Sequence, residues 1–280
     1  MAYKISGTTS VDADIYVVDE ATDLLEAHHF RPAGAYEVGL LSNGKKIVTA
    51  VAANGKGITY GDVTPVFYVA FEPSGSPYAW FDAWQEEGYN DLDPIATFID
   101  RISGRNLTQG TVSKRPLYRT NIQNGLPVIR WDGINDKMQN TGFGSIPQPA
   151  TYFLAGRFRT LATSQRMFTG NDGETRHDFG GNSSFYSIYA GAGTVTKTPT
   201  NTNYHVFSIR VNGGSSWIRV DGSQVGSSGT TGTYTHLGMH VGAYYNDSNW
   251  SQIDIGDFLV YKGAEDPAAN EAALAIKWGL

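Results

Sequence analysis

Short runs of alternating apolar and polar residues, each closed by Gly, Pro, Asn or Asp, recur along almost the whole chain, and only its C-terminal end carries a clear helical pattern. A strand of this kind buries one face only, so a chain built from many of them must stack sheets face to face. The expected fold class is therefore all-β. The 33 glycines supply the turns such a chain needs, and charged residues are only 17% of the total, too few for charge-studded helical surfaces. Cysteine is absent. Disulfides, thiolate nucleophiles and cysteine-held zinc are thereby excluded, and stability has to come from packing.

The 280 residues allow a small domain beside a larger one. From Tyr3 to about Val66 the runs Asp14–Val18, Ala35–Val38 and Lys46–Val51 read as strands of a small sandwich, with Ser42-Asn43-Gly44-Lys45 predicting a tight hairpin turn between the last two. Phe71-Glu72-Pro73-Ser74-Gly75-Ser76-Pro77 has the composition of a linker, giving an expected small domain over 1–68, a linker over 69–77 and a larger domain over 78–280. Asp91–Arg101 reads as a short helical or irregular stretch. Strands are then expected at Val128–Trp131, Thr151–Arg157, Phe185–Tyr189, His205–Val211, Ser216–Val220, Gly238–Val241 and Ile255–Tyr261. Asp266-Pro267 opens a terminal helix as cap and first residue, Gly279 stops it, and the side bearing Leu274, Ile276 and Trp278 is expected to face a sheet.

The larger domain resembles the concanavalin A-like (LamG-type) jelly-rolls of phage and bacterial surface proteins. The residues that carry the resemblance are the aromatic strand Ala79–Ala83, the polar turn Asp100–Gln109, Arg115–Tyr118, the strand and turn Asn124–Asp136 ending in Asp132-Gly133-Ile134-Asn135-Asp136, and the closing Ile255–Tyr261 with the final helix. Asp257 stands where that family often has Glu. The first domain is similar to a carboxypeptidase-regulatory, transthyretin-like (Ig-like) sandwich through Ile5–Gly7, Ala13–Asp19, Gly34–Val38 and Gly61–Val66. Together the two resemblances imply a small β-sandwich followed by a jelly-roll sandwich with a short C-terminal helix.

Sugars stack their C–H faces on aromatic rings while neighbouring amides and carboxylates bind their hydroxyls. Tyr244, Tyr245, Asn246, Asp247, Asn249 and Trp250 bring these types together in one expected loop and form the candidate glycan or receptor contact. Trp80, Trp131, Trp217 and Trp278 are assigned to the core. Asp132, Asn135 and Asp136 could offer oxygens to calcium, with Asp247 and Asn249 as further donors; the competing reading is an Asp-Gly turn whose side chains hold backbone N–H groups. His236 and His240 would share one face of a strand, too far apart for zinc. Hydrolysis on this fold would need two carboxylates flanking a glycosidic bond, and regular alternation puts the nearest pair, Asp254 and Asp257, on opposite faces. Catalytic residues are therefore not assigned.

The net charge of −6, with no basic stripe, argues against nucleic acid as partner. No apolar run approaches roughly 18 residues and no secretion leader opens the chain, so synthesis in a host cytoplasm without membrane insertion is expected. The resemblance implies a virion protein, in head or tail, whose first domain contacts other virion proteins and whose second binds host-surface carbohydrate, as a homo-oligomer or many-copy array. Two alternatives stay open: a decoration protein that binds no sugar, and a glycan-cleaving enzyme.

Overall fold

A computed structural model describes residues 71–280 with their side chains, apart from 162, 199 and 225–228, and within 1–70 the backbone of five strands. The chain divides into two compact units, Met1–Glu72 and Pro73–Leu280.

In the first unit β1 (Tyr3–Thr9) pairs antiparallel with β4 (Gly34–Leu40), while β2 (Ala13–Asp19) lies between β3 (Leu25–Arg31) and β5 (Lys46–Ala52). The turn expected at Ser42–Lys45 and the stretch Gly61–Val66 lie outside the described residues. The strands flanking that turn, β4 and β5, belong to different sheets, so they do not form the hairpin that Asn43-Gly44 suggested.

The second unit contains β6 (Ala79–Asp82), β7 (Thr97–Phe98), β8 (Leu107–Thr108), β9 (Leu117–Gln123), β10 (Leu126–Arg130), β11 (Met138–Ile146), β12 (Ala150–Phe158) and β13 (Gln165–Thr169). It continues with β14 (Asp178–Gly181), β15 (Tyr186–Tyr189), β16 (Val195–Lys197), β17 (His205–Val211), β18 (Trp217–Val220), β19 (Ser223–Gln224), β20 (His236–Val241), β21 (Ile253–Lys262) and the helix α1 (Pro267–Trp278). One sheet runs β19-β18-β17-β12-β21-β10-β9, with β6 also on β21; the other runs β16-β15-β14-β13-β20-β11-β8-β7. An aromatic seam joins them: Phe81 faces Phe143, Phe258 and Tyr152 face Phe168, and Phe158 and Phe207 face Phe179 at centroid distances of 4.6–6.3 Å. The all-β sandwich with a terminal helix is thus present, and its core is fully buried aromatic and aliphatic surface.

Polar hubs tie the irregular segments to these sheets. Asp100 Oδ1 accepts the N–H groups of Trp80 and Ile102 at 3.0 Å, and its Oδ2 accepts from Ser103 Oγ at 2.6 Å and the Arg105 N–H at 3.0 Å. One carboxylate therefore folds the turn after β7 back onto β6. The stretch Asp91–Arg101 is irregular apart from the two residues of β7, and forms no helix.

The helix starts as its sequence dictates: Asp266 Oδ1 accepts the Ala268 N–H at 3.0 Å, Pro267 follows, and Gly279 ends it in the left-handed region at φ 65°. Its buried side differs from the expected one. Leu274, Trp278, Asn270, Glu271 and Lys277 are buried, whereas Ile276 is 51% exposed, because it lies two positions from both Leu274 and Trp278 and so points away from them. Trp80, Trp131 and Trp278 are core as expected. Trp217 is only half-buried, outside the core, with the Arg210 and Arg219 guanidinium groups over its ring at 4.8 and 6.0 Å.

Candidate functional site

β21 departs from regular alternation in a way that bears on the carboxylates. A register shift against β12 skips Gly256: Ile255 is opposite Gly156 and Asp257 opposite Ala155. Ile253, Ile255, Phe258 and Val260 consequently all face the core, and Asp254 and Asp257 share the other face, contrary to the opposite-face expectation. Gly256 is obligatory because the Trp278 ring lies against it; an added Cβ would sit 2.0 Å from Trp278 Cζ2.

Both aspartates are already engaged. Asp254 receives Arg130 Nε at 2.7 Å and Nη2 at 2.8 Å, Arg157 Nε at 2.9 Å and the Tyr204 hydroxyl at 2.8 Å. Asp257 receives the indole N–H groups of Trp80 at 2.9 Å and Trp278 at 2.7 Å, and Lys277 Nζ lies 2.8 Å from both Asp257 and Asp82. Burial raises the Asp257 carboxyl to about 6, Asp82 pushes it the same way and Lys277 opposes. Lys277 is held charged: burial pulls its pKa down, but the two carboxylates outweigh that and the net shift is upward. These groups lock α1 to the sheet through Asp257.

The suggested calcium loop is also committed to backbone. Asp132 Oδ1 accepts the N–H groups of Ile134, Asn135 and Asp136 at 2.7, 3.2 and 3.3 Å, and Asp136 Oδ2 accepts the Asp132 N–H at 3.0 Å. Desolvation, with Asp132 nearby, pushes the Asp136 carboxyl up to about 7. Asn135 Oδ1 is buried without a hydrogen-bond partner among the described residues. Asp247, the proposed donor from a second loop, is ion-paired with Lys137 instead, and Asn249 is exposed. The remaining oxygens fall short of the six or more that calcium takes, so the arrangement fits the Asp-Gly turn better than a calcium shell. Among the described residues no three His, Asp or Glu side chains are grouped to hold a metal ion.

His236 and His240 do not share a face. Gly238 between them adopts φ 67°; His236 lies in the aromatic seam beside Tyr152 and Phe168, while His240 is opposite Thr169 and Gln139. His177 donates from Nε2 to the Tyr234 carbonyl (2.8 Å), and as a neutral ring it accepts the Tyr152 hydroxyl at Nδ1 (2.8 Å). Burial pulls its pKa down to about 4.

An open site lies on the outer face of the second sheet. In β15, Tyr186 and Ile188 face the core, so Ser187 and Tyr189 face outward; Asp178 of β14 is opposite Tyr189, and Arg166 comes from β13. The loop between β20 and β21 supplies the fourth wall. Gly242, at φ 89°, lets the chain pass over the Trp131 ring, where a Cβ would be 2.1 Å from Cδ1. The Ser251 N–H bonds the Gly242 carbonyl at 2.8 Å, and its hydroxyl both accepts the Arg166 N–H (2.8 Å) and donates to the Arg166 carbonyl (2.6 Å). The tip is a tight turn, Asp247 N–H to Tyr244 carbonyl at 3.0 Å, with Asp247 and Asn249 in the left-handed region that Asx residues tolerate. Arg166, Arg176, Asp178, Ser187, Tyr189, Thr194 and Tyr244 line a basin of about 160 Å³.

Arg176 is its centre. The guanidinium lies 4.8 Å from the ring centroid of Tyr189, 5.3 Å from Tyr244 and 5.5 Å from Tyr245, and its Nε is 2.8 Å from Asp178 Oδ2. Asp178 is buried and also accepts the Thr169 hydroxyl; desolvation raises its pKa while Thr169 and Arg176 oppose the rise. Tyr244 and Tyr245 are half-buried, with centroids 4.4 Å apart, and their hydroxyls and that of Tyr189 form no hydrogen bond among the described residues. Burial raises the Tyr244 hydroxyl to about 12, so it is a donor at neutral pH.

Of the six residues singled out in the sequence, the structure brings Tyr244 and Tyr245 to the arginine. Asn246 is exposed and accepts from Ser248 Oγ, Asp247 turns to Lys137, Asn249 is exposed, and Trp250 is half-buried without lining the basin. Arg166, Arg176, Asp178 and Tyr189 were not singled out. The alternation of Tyr186-Ser187-Ile188-Tyr189 and of Arg176-His177-Asp178 is the signal that could have placed them on one outward face.

No family model matches the chain, and no curated protein matches it. Solved structures with a similar outline include Trypanosoma rangeli sialidase in complex with sialic acid (9% identity, TM-score 0.47, covering 72% of this chain and 33% of that one). The binding domain of botulinum neurotoxin serotype D is similar at 8% identity and TM-score 0.49, covering 71% of this chain and 50% of that one. The binding domain of Paraclostridial Mosquitocidal Protein 1 is similar at 12% identity and TM-score 0.43, covering 55% and 46%. The chain thus spans a third to a half of their lengths. The two antiparallel sheets themselves, rather than these likenesses, establish the β-sandwich.

Proposed function

We propose that the second unit is a carbohydrate-binding module whose ligand enters the basin around Arg176, stacking on Tyr244 and Tyr189 and hydrogen-bonding the surrounding hydroxyl and guanidinium groups. The observation that carries this reading is the set of half-buried tyrosines, their hydroxyls without a hydrogen bond among the described residues, around a positioned guanidinium. Aromatic faces and convergent polar donors are what a sugar ring uses for affinity and orientation. Binding without cleavage is part of the proposal, since Asp254 and Asp257, the carboxylates nearest to a hydrolytic pair, are each held by several donors.

The wider setting follows the LamG resemblance: a phage or phage-like virion protein, its first unit contacting other virion proteins and its second meeting host-surface glycan. A shallow site of this size gains most from repetition, so many copies on one particle would turn weak contacts into adhesion. Among the described residues no helix is long and apolar enough to cross a membrane. A glycan array probed with the protein displayed multivalently, with product analysis of every bound polysaccharide, tests the reading. Retention of intact glycan supports it; no binding across a broad panel favours the decoration protein, and shortened products favour the enzyme.

A further inference from the structure

We propose that the basin selects glycans bearing an acidic group, a carboxylate or a sulfate ester docked between Arg166 and Arg176; this rests on the carbohydrate-binding reading and narrows its ligand. The chain as a whole carries a net charge of −6, so a basin with surplus positive charge runs against the average. Two guanidinium groups and one carboxylate line it, and that carboxylate is buried and engaged at both oxygens: Asp178 Oδ2 holds Arg176 Nε and Oδ1 holds the Thr169 hydroxyl.

Each arginine keeps donor capacity in reserve. Arg176 spends Nε on Asp178 and Nη1 on the Gly173 carbonyl, which leaves Nη2. Arg166 spends Nη1 on Ser164 Oγ and its neighbour's carbonyl, both at 3.0 Å, which leaves Nη2 for a ligand, its Nε being buried away from solvent. The placement of Arg166 is built into the sheet, because it crosses Gly180: a Cβ there would lie 2.9 Å from Nη1 and 3.0 Å from Cδ. The other lining groups, Ser187, Thr194, Tyr189 and Tyr244, are hydroxyls able to donate. A neutral sugar would have to place its hydroxyl protons on the lining hydroxyl oxygens or on a carboxylate that is buried and already holds two donors. An oxyanion takes what this site has in excess, through charge-assisted hydrogen bonds to guanidinium edges.

Matched glycan pairs test this: hyaluronan oligosaccharides against their carboxyl-reduced counterparts for the carboxylate, and chondroitin sulfate against unsulfated chondroitin for the sulfate, with oligogalacturonides against galactose oligomers as a second carboxylate pair. The more acidic member of at least one pair should bind about tenfold tighter at low salt, lose that advantage as NaCl is raised, and lose it also in Arg166→Gln. Equal binding of both members in every pair would overturn the acidic preference while leaving carbohydrate binding standing. Failure of every acidic and neutral glycan to bind, on these pairs and on the wider array, would remove both.

Discussion

Lys277→Met would test the argument that buried charge holds the terminal helix in place. The wild-type side chain is 1% exposed and lies 2.8 Å from each of two carboxylates that are themselves fully buried. Replacing the cation with an isosteric thioether leaves Asp82 and Asp257 facing each other with no countercharge, and breaking a buried pair from one side costs about 3–5 kcal/mol. For a unit of this size each kcal/mol is worth roughly 2–4 °C, so thermal unfolding by circular dichroism should fall by about 6–20 °C. The loss should depend on pH. Asp257 already has a carboxyl raised to about 6, and removing Lys277 takes away the group that was lowering it. A carboxyl raised in the folded state stabilises at pH below its unfolded value and loses that contribution as pH rises through the folded one. The deficit of Lys277→Met should therefore be smaller at pH 5 than at pH 7.5. A variant within about 1 kcal/mol of wild type at pH 7.5, or a deficit that grows on acidification, would refute the account.

Further consequences can be measured directly. Gly256→Ala places a methyl 2.0 Å from Trp278 Cζ2 and should lower the urea midpoint by the equivalent of about 1–3 kcal/mol or more, with no loss expected if the helix can tilt away freely. His177 is neutral in the fold with a pKa pulled down to about 4, while in the unfolded chain it protonates near 6.5, so stability is complete above about 6.5 and is lost as pH falls towards 4. That loss amounts to up to about 3 kcal/mol from this residue. Because Glu86, Asp136 and Asp257 have raised pKa values and act in the opposite sense, the readout is the difference in pH slope between wild type and His177→Gln, which should be flatter.

The fold was largely legible because its signals are local. Each strand expected in the second unit overlaps an observed one, His205–Val211 over its full length, and the helix began and ended at its cap residues. β11 and β14 went unread because Gly142, Gly144, Gly180 and Gly181 interrupt or dilute their alternation, and β9, β13 and the two- and three-residue β7, β8, β16 and β19 were not expected as strands either. The errors of face share one cause. Gly256 and Gly238 each reverse the alternation, the first by a bulge opposite β12 and the second through a left-handed residue, and no parity count anticipates either. The tyrosine pair was legible as a composition of ring and amide types in one loop. The arginine between the rings was not, since Arg176 is about 70 positions away and reaches Tyr244 only through the order β14-β13-β20. Charge patterning hid it further, because Arg176-His177-Asp178 reads as an ordinary solvated alternation until the neighbouring strands are in place.

The central claim is that Tyr244 and Arg176 form a glycan site, and the most direct measurement compares wild type, Tyr244→Ala and Trp250→Ala side by side on one glycan array, each displayed multivalently and each first checked for unchanged thermal unfolding. The account predicts that Tyr244→Ala loses the signal on every glycan wild type holds, and that Trp250→Ala, outside the basin, keeps it. Retention of the full signal by Tyr244→Ala, or its loss only in Trp250→Ala, would contradict the account and move the site elsewhere on the loop.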